Sequence, residues 1–342
     1  MAKNKLKIGI LGCADVAKRH AIKAFQSLDN AEVVSIASRD YSKAKKWASD
    51  FGIAAEVSYD ALLANKEVDA IYIPLPIGLH KKWVLKAAKA GKHIICEKSL
   101  AESFKSVKEI VNKCRSKGIV LYENFMCDFH PQHEKVLYLI KSGEIGRPFI
   151  FNSFYGFPPF KKDNIRYSKK LGGSSLYDAG CYIVFMARKI FGKEPISVVC
   201  NLLYDKKTGV DTQGSIMLEF SDKETAFGAF SYNSAYQNNY SLWGSQALVN
   251  VGRAYSISPE TKPIIELAKI ENYKDVVKKI DVPAANQFKL IFRDFCDTIL
   301  HKRDRADKIS SIYSQIIAQA RTLEVLRLAS RENRKVKLQE IE

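Results

Sequence analysis

Between residues 6 and 125, short apolar runs alternate with amphipathic stretches of helical length. They read LKIGILG (6–12), DVAKRHAIKAFQSL (15–28), EVVSIAS (32–38), YSKAKKWASDFG (41–52) and DAIYIPLP (69–76), followed by LHKKWVLKAAKAG, HIICEK, SFKSVKEIVNKCRSKG and IVLYENF. Strands separated by helices of that length pair in parallel, with helices covering both faces of the sheet. The runs are continuous rather than alternating, as burial of both strand faces requires. This half is predicted to be a doubly wound α/β domain.

From about residue 148 the rhythm changes to long strand-like segments: PFIFNSFYGF, ISVVCNLLYD, TQGSIMLEF, ETAFGAFSYN and YSLWGSQALVNVG. Consecutive strands joined by short polar turns predict an antiparallel sheet, which can leave one face open. Helical patterns flank it at about 174–192, 285–302 and 309–331. The 342 residues exceed what one core usually serves. The expected organisation is a Rossmann domain over 1–125 and an α/β domain over 126–342 with a large open, mainly antiparallel sheet. The last helices are candidates to pack back on the first domain. No linker or repeat intervenes, so a tight interface, where ligand clefts often form, is expected.

Several classes are excluded. No run approaches the roughly 18 apolar residues of a membrane span, and the start MAKNKLKIGILG lacks a signal-peptide pattern. A cytoplasmic location with no membrane partner is expected. The seven cysteines form no CxxC pair and no ligand-like spacing, so reduced, buried thiols and no metal are expected. The net charge of +17 suits either nucleic acid or phosphate-bearing small molecules. The lysines are dispersed and no basic, aromatic-interleaved module appears, so no nucleic-acid partner is expected.

The first strand runs into GILGCADVA (9–17). A dinucleotide-binding turn needs a residue that turns tightly, a second small enough for pyrophosphate to approach, and a third that lets helix pack on strand. Gly12, Ala14 and Ala17 fill these places; only the first demands glycine, and a plain strand–turn–helix fits the same letters. The second strand ends SIASRD. Ser38 and Arg39, with Lys43 beyond, suit the 2′-phosphate of NADP better than the ribose hydroxyl of NAD, although Asp40 keeps a carboxylate nearby.

PLPIGLH (74–80) and CEKSL (96–100) follow the fourth and fifth strands, at the sheet edge where ligands of open α/β folds bind. Lys98 there can donate to a substrate oxygen; a surface ion pair with adjacent Glu97 is the alternative, and the position after an apolar strand favours the functional role. In NIRYSKKLGGSSLYDAGCYIVFMARKIFG (164–192), Asp178 and Tyr182 are four apart and share a helix face. A carboxylate and a phenol so placed can bind sugar hydroxyls and relay a proton; a helix cap and a core aromatic are the alternatives. The two histidines of FHPQH (129–133) are expected to be turn residues, since a proline separates them and no third ligand is near.

Taken in order, GCADVA, PLPIGLH, CEKSL, ENFM, GEIG and LGGSSLYDAGCY resemble the Gfo/Idh/MocA oxidoreductases over nearly the whole chain. GCADVAKRH, ENFMCDFHPQH, DNIRY and YSLWGSQALVNVGRAYSISPETKP are most similar to the nucleotide-sugar 3-ketoreductases of deoxysugar pathways; FHPQ and DAGCY also look like the xylose dehydrogenase branch. The resemblance implies NADP(H) contacts from Gly12, Cys13, Ala14, Asp15, Val16, Ala17, Ser38, Arg39, Lys43, Leu75, Pro76, His80, Glu97, Lys98, Asn124, Arg166 and Asp178. It implies substrate contacts from Arg19, Lys98, Asp178, Tyr182 and Tyr240, and a homodimer or homotetramer. Lys98 and Tyr182, the latter where many relatives carry histidine, are the implied acid–base pair.

The implied activity is NADPH-dependent reduction of a keto group, at C-3, on a sugar nucleotide carrying a deoxyhexose. A free-sugar dehydrogenase, acting for example on xylose, and a non-catalytic nucleotide-binding regulator are the alternatives. Ser99 departs from the proline that usually follows the family lysine. A cis peptide before a non-proline residue costs about 2.5–4 kcal/mol, so a trans bond and a displaced Lys98 are expected.

Overall fold

The computed structural model describes residues 5–341. Residues 1–4, part of the basic start read above, and residue 342, the end of the expected second domain, lie outside the described residues. The chain divides into two compact units. One comprises the chain up to Met126 with Phe288–Ile317; the other comprises Cys127–Gln287 with the segment from Ala318 onward.

The first unit is built on six strands: β1 (Leu6–Leu11), β2 (Ala31–Ala37), β3 (Ala54–Glu56), β4 (Ala70–Ile73), β5 (His93–Glu97) and β6 (Leu121–Asn124). Their order is β3-β2-β1-β4-β5-β6, and every pair is parallel. The alternation of runs in the sequence thus becomes a doubly wound sheet. Its order reverses between β1 and β4, where the loops after these strands diverge and open a crevice. The connecting helices are α1 (Ile22–Gln26), α2 (Tyr41–Phe51), α3 (Tyr59–Ala64), α4 (Ile77–Lys89) and α5 (Phe104–Ser116). Asp40, Ser58 and Ser103 cap α2, α3 and α5 by accepting from backbone N–H groups that lack intrahelical partners. Phe292, from the helix Gln287–Leu300, stacks on Phe25 at 3.9 Å and meets the edge of Tyr72 at 5.5 Å.

The second unit contains α6 (Pro131–Lys141), α7 (Cys181–Phe191) and nine strands. The strands are β7 (Pro148–Gly156), β8 (Ser197–Tyr204), β9 (Asp211–Glu219), β10 (Thr225–Ser231), β11 (Gln237–Gly244), β12 (Leu248–Val251), β13 (Ile264–Glu271), β14 (Lys274–Asp281) and β15 (Val336–Lys337). The order is β14-β13-β12-β11-β7-β10-β9-β8-β15, and β7 with β10 is its one parallel pair. Alternation sorts the two faces. Phe151, Ser153 and Tyr155 are buried, whereas Phe154, Phe227 and Trp243 are exposed on the opposite side. Helix α7 lies so close to the buried face that a Cβ on Gly228 would stand 2.6 Å from Ile183 Cγ2. Among the described residues, no helix is long and apolar enough to cross a membrane.

Candidate active site

Strand β1 delivers Gly12 at φ +132°, a conformation that side-chain-bearing residues rarely adopt, and a Cβ there would lie 2.8 Å from Leu75 Cδ2. The first place of the fingerprint therefore needs glycine for two independent reasons. Beyond it, Ala14 O accepts from Ala17 N at 2.9 Å and Lys18 N at 3.2 Å, while the Ala17 methyl is fully buried. One π-helical turn, Ala17–Ala21, opens the helix before α1, and no side chain caps it. Cys13 and Val16 are half-buried; Asp15 and Arg19 are exposed.

Ser38, buried just after β2, accepts from Asp40 N at 3.2 Å and hydrogen-bonds the Cys13 thiol, joining the two loops. Burial raises that thiol above its ordinary range despite the Ser38 bond and the Lys43 charge. Asp40 Oδ1 accepts from Lys43 N at 3.2 Å, so the nearby carboxylate is occupied as the α2 cap. Arg39 is exposed, and its backbone hydrogen-bonds Tyr59. The ammonium groups of Lys43 and Lys18 stand 5.4 and 5.5 Å from the centre of the same Trp47 ring. Lys18 was not singled out by the sequence because its partner in this arrangement, Trp47, is distant in the chain.

At the end of β5, Glu97 Oε1 accepts from the Tyr72 hydroxyl and from Asn124 Nδ2, each at 2.6 Å. These two donors, rather than a surface ion pair alone, fix the carboxyl, and burial raises its pKa. Asn124 is fully buried, and its Oδ1 has no hydrogen-bond partner among the described residues. A glycine-only backbone beside Leu75, cations around Ser38 and an unsatisfied buried acceptor at Asn124 together fit a phosphate-bearing dinucleotide.

The Lys98–Ser99 peptide is cis, which corrects the trans bond expected from Ser99. Tertiary contacts define this turn: Ser99 O faces His80 Nδ1 at 2.9 Å, and Leu100 N donates to Glu123 Oε1 at 2.7 Å. His80, expected to touch the cofactor, is fully buried, with Nε2 2.6 Å from Leu75 O. Leu75, Pro76 and Lys98 are half-buried.

In the second unit, Asp178 lies on the π-helical turn Leu176–Gly180 that leads into α7, and Tyr182 lies in the first turn of α7. Arg166 Nε donates to Asp178 Oδ2 at 2.6 Å, and its guanidinium stands 4.5 Å from the Phe160 ring centre. The Tyr232 hydroxyl lies 2.8 Å from Ser174 O and 3.2 Å from the same Asp178 oxygen. Tyr182 is buried against Tyr155 (5.3 Å) and Tyr255 (5.5 Å). Burial, then the Asp178 charge, raises the Tyr155 phenol well above its ordinary range. Arg166, Asp178 and Tyr182 are thus brought together around Tyr155, a residue sequence reasoning missed because it points inward from a strand.

Tyr240, expected to face the sugar nucleotide, is 1% exposed, and its hydroxyl lies 3.0 Å from His133 Nδ1. His133 is not a turn residue: it is buried on α6, with Nε2 2.9 Å from Ala254 O, while His130 caps that helix. Among the described residues, no group of three or more His, Cys, Asp or Glu side chains could hold a metal ion.

Residues 6–125 match the oxidoreductase family with an NAD-binding Rossmann fold, and residues 133–250 match the GFO/IDH/MocA C-terminal domain. A dTDP-3,4-didehydro-2,6-dideoxy-alpha-D-glucose 3-reductase from Saccharopolyspora spinosa is 34% identical over 84% of this chain and 85% of its own length. A D-xylose 1-dehydrogenase (NADP(+)) from Haloferax volcanii is 36% identical over 74% of this chain and 78% of its own. Among solved structures, a 3-ketoreductase from Actinomadura kijaniata in complex with NADP and TDP-benzene matches with a TM-score of 0.89 at 30% identity, covering 95% of this chain and 98% of that one. The chain belongs to the Gfo/Idh/MocA family of oxidoreductases.

Proposed function

We propose that the protein is an NADPH-dependent reductase of the 3-keto group of a dTDP-activated deoxyhexose. The observation that carries this reading is that the likeness to the Actinomadura 3-ketoreductase, which binds NADP and TDP-benzene, runs through 95% of the chain and so includes the unit expected to encode substrate choice. When bound, NADPH supplies a hydride to the carbonyl carbon. The chain's own residues do the rest. Ser38, Arg39 and Lys43 hold the 2′-phosphate, and the loop from Gly12 to Ala17 approaches the pyrophosphate. Leu75, Pro76, Glu97, Asn124, Arg166 and Asp178 orient the nicotinamide half. Lys98 or Tyr182 gives a proton to the developing alkoxide, and Arg19 contributes a cation to the sugar nucleotide.

The proposed domains are 1–125, binding NADP, and 126–342, binding the substrate and mediating oligomerisation. The exposed Phe154, Phe227 and Trp243 on one sheet face support a homodimer or homotetramer, and seven free cysteines support a cytoplasmic location. The Haloferax relative supports a second reading, oxidation of a free aldose. Purified protein with NADPH and a dTDP-3-keto-deoxyhexose should consume NADPH stoichiometrically with alcohol formed. Turnover of xylose with NADP, without turnover of the sugar nucleotide, would replace the first reading with the second.

A further inference from the structure

His80 is a fully buried titratable side chain near the proposed acid–base lysine, and the proposed chemistry gives it no task. It projects from the first turn of α4, and both ring nitrogens face backbone carbonyl oxygens: Leu75 O at 2.6 Å and Ser99 O at 2.9 Å. Leu75 is the residue whose side chain closes on Gly12, and Ser99 directly follows Lys98. One imidazole therefore stands between the β4–α4 loop and the turn after β5, in hydrogen-bond reach of a carbonyl of each and able, when neutral, to donate to one of them.

The same turn is held from its other side, where Leu100 N donates to Glu123 Oε1 at 2.7 Å. Just before Lys98, the Glu97 carboxyl is fixed by Tyr72 and Asn124. Lys98 thus sits between anchored neighbours. We propose that His80 is a positioning residue that sets the backbone from which Lys98 reaches the substrate carbonyl, and couples that backbone to the cofactor-facing loop at Leu75. This inference rests on the role proposed for Lys98.

The chemistry of the clamp is restrictive. A neutral imidazole carries one N–H, so it satisfies one carbonyl while presenting a lone pair to the other; only the imidazolium donates to both. Burial, with the Lys98 charge adding to it, pushes the His80 pKa down to about 4, so the neutral ring prevails near neutrality. Glutamine keeps an amide N–H for one carbonyl, whereas alanine keeps none.

The experiment compares His80→Ala and His80→Gln with the unaltered protein, using steady-state kinetics, NADPH titration and pH-resolved acetylation of Lys98 read by mass spectrometry. His80→Ala is expected to lower kcat about tenfold or more, in line with the sensitivity of catalysis to displacements of about 1 Å. KM and the NADPH Kd should stay within about threefold, and the Lys98 acetylation profile should shift; His80→Gln should recover part of both losses. An unchanged kcat and an unchanged Lys98 profile in folded His80→Ala would overturn the proposal. If His80→Ala does not fold, His80→Leu, which fills the space without a donor, takes its place: the same losses support the proposal, and an unchanged kcat with an unchanged Lys98 profile overturns it. Absence of sugar-nucleotide turnover in the unaltered protein would reject the proposed function, and the labelling would still decide whether His80 positions Lys98.

Discussion

Gly12→Ala provides a sharp structural test of the nucleotide loop. The added methyl meets Leu75 Cδ2 at 2.8 Å, and the backbone must hold φ +132° with a side chain attached. Holding that conformation costs about 1–3 kcal/mol. Displacing the flexible end of Leu75 adds about 1 kcal/mol, the low end for overpacking. A total of about 2–4 kcal/mol corresponds to a fall in Tm of about 4–16 °C for a unit of this size. Leu75 O is also the partner of His80 Nε2, so a moved Leu75 disturbs the loop proposed to meet the cofactor and should weaken NADPH binding about tenfold. Differential scanning calorimetry and isothermal titration with NADPH measure the two effects. Ala14→Gly is the control, with an expected cost of no more than about 1 kcal/mol. A Gly12→Ala protein that melts within about 2 °C of the parent and binds NADPH equally well would refute the reasoning.

Arg39→Ala should weaken NADPH binding about tenfold while leaving NADH nearly unaffected, as expected for one charge-assisted hydrogen bond to a 2′-phosphate; equal losses for both cofactors would contradict that assignment. Lys18→Ala should narrow the same preference severalfold, measured as the ratio of kcat/KM values with the two cofactors. Lys98→Ala and Tyr182→Phe should each lower kcat, with the proton donor showing a loss of about 10²–10⁴-fold and neither altering NADPH affinity strongly. His80 and His133 have folded-state pKa values pushed down by burial to about 4 and about 3, below the roughly 6.5 of an unfolded chain. The unfolded state binds protons first as the pH falls, so their contribution to stability is complete above about pH 6.5 and is lost progressively toward pH 4 and 3. Urea midpoints that stay flat between about pH 7.5 and 5 would contradict this.

Much of the architecture was legible because it depends on local periodicity. The apolar runs that became β1, β4 and β5 carry no competing signal, and DAGCY announced the turn into α7. The hairpin of β13 and β14 is less legible, because KDVVKKID is an exposed, charge-bearing edge strand that buries nothing, and IIELAKIE buries only Ile265 and Leu267 between its charges. The site was legible where a single residue type carries its own reason, as Gly12 does. It was not legible where a role is made by packing. Nothing near residue 155 in the sequence indicates that Tyr155 would meet both Asp178 and Tyr182, and nothing near residue 80 indicates that His80 would bridge carbonyls 24 residues apart. The cis bond before Ser99 belongs to the same class. Local cost favours trans, and only the contacts of the folded turn reveal the alternative.

The positive charge of the chain acquires a local meaning in the first unit through the fate of its carboxylates. Counting residue types around β2 and β5 would predict a mixed field, since Asp40, Glu97 and Glu123 stand among Arg39, Lys43 and Lys98. Each carboxylate, however, is already engaged by a donor of the fold: Asp40 by the first turn of α2, Glu97 by Tyr72 and Asn124, and Glu123 by Leu100 N. Hydrogen bonds of this kind orient the carboxylates toward donors of the fold and occupy acceptor sites that would otherwise compete for a ligand hydroxyl. A preference for the phosphorylated cofactor then follows without deleting acidic residues from the region, because the fold has engaged them. Introducing a new carboxylate at Ser38, whose hydroxyl already accepts from Asp40 N, would be the direct way to reverse it: Ser38→Asp should favour NADH over NADPH even though Asp40 has stood two residues away throughout.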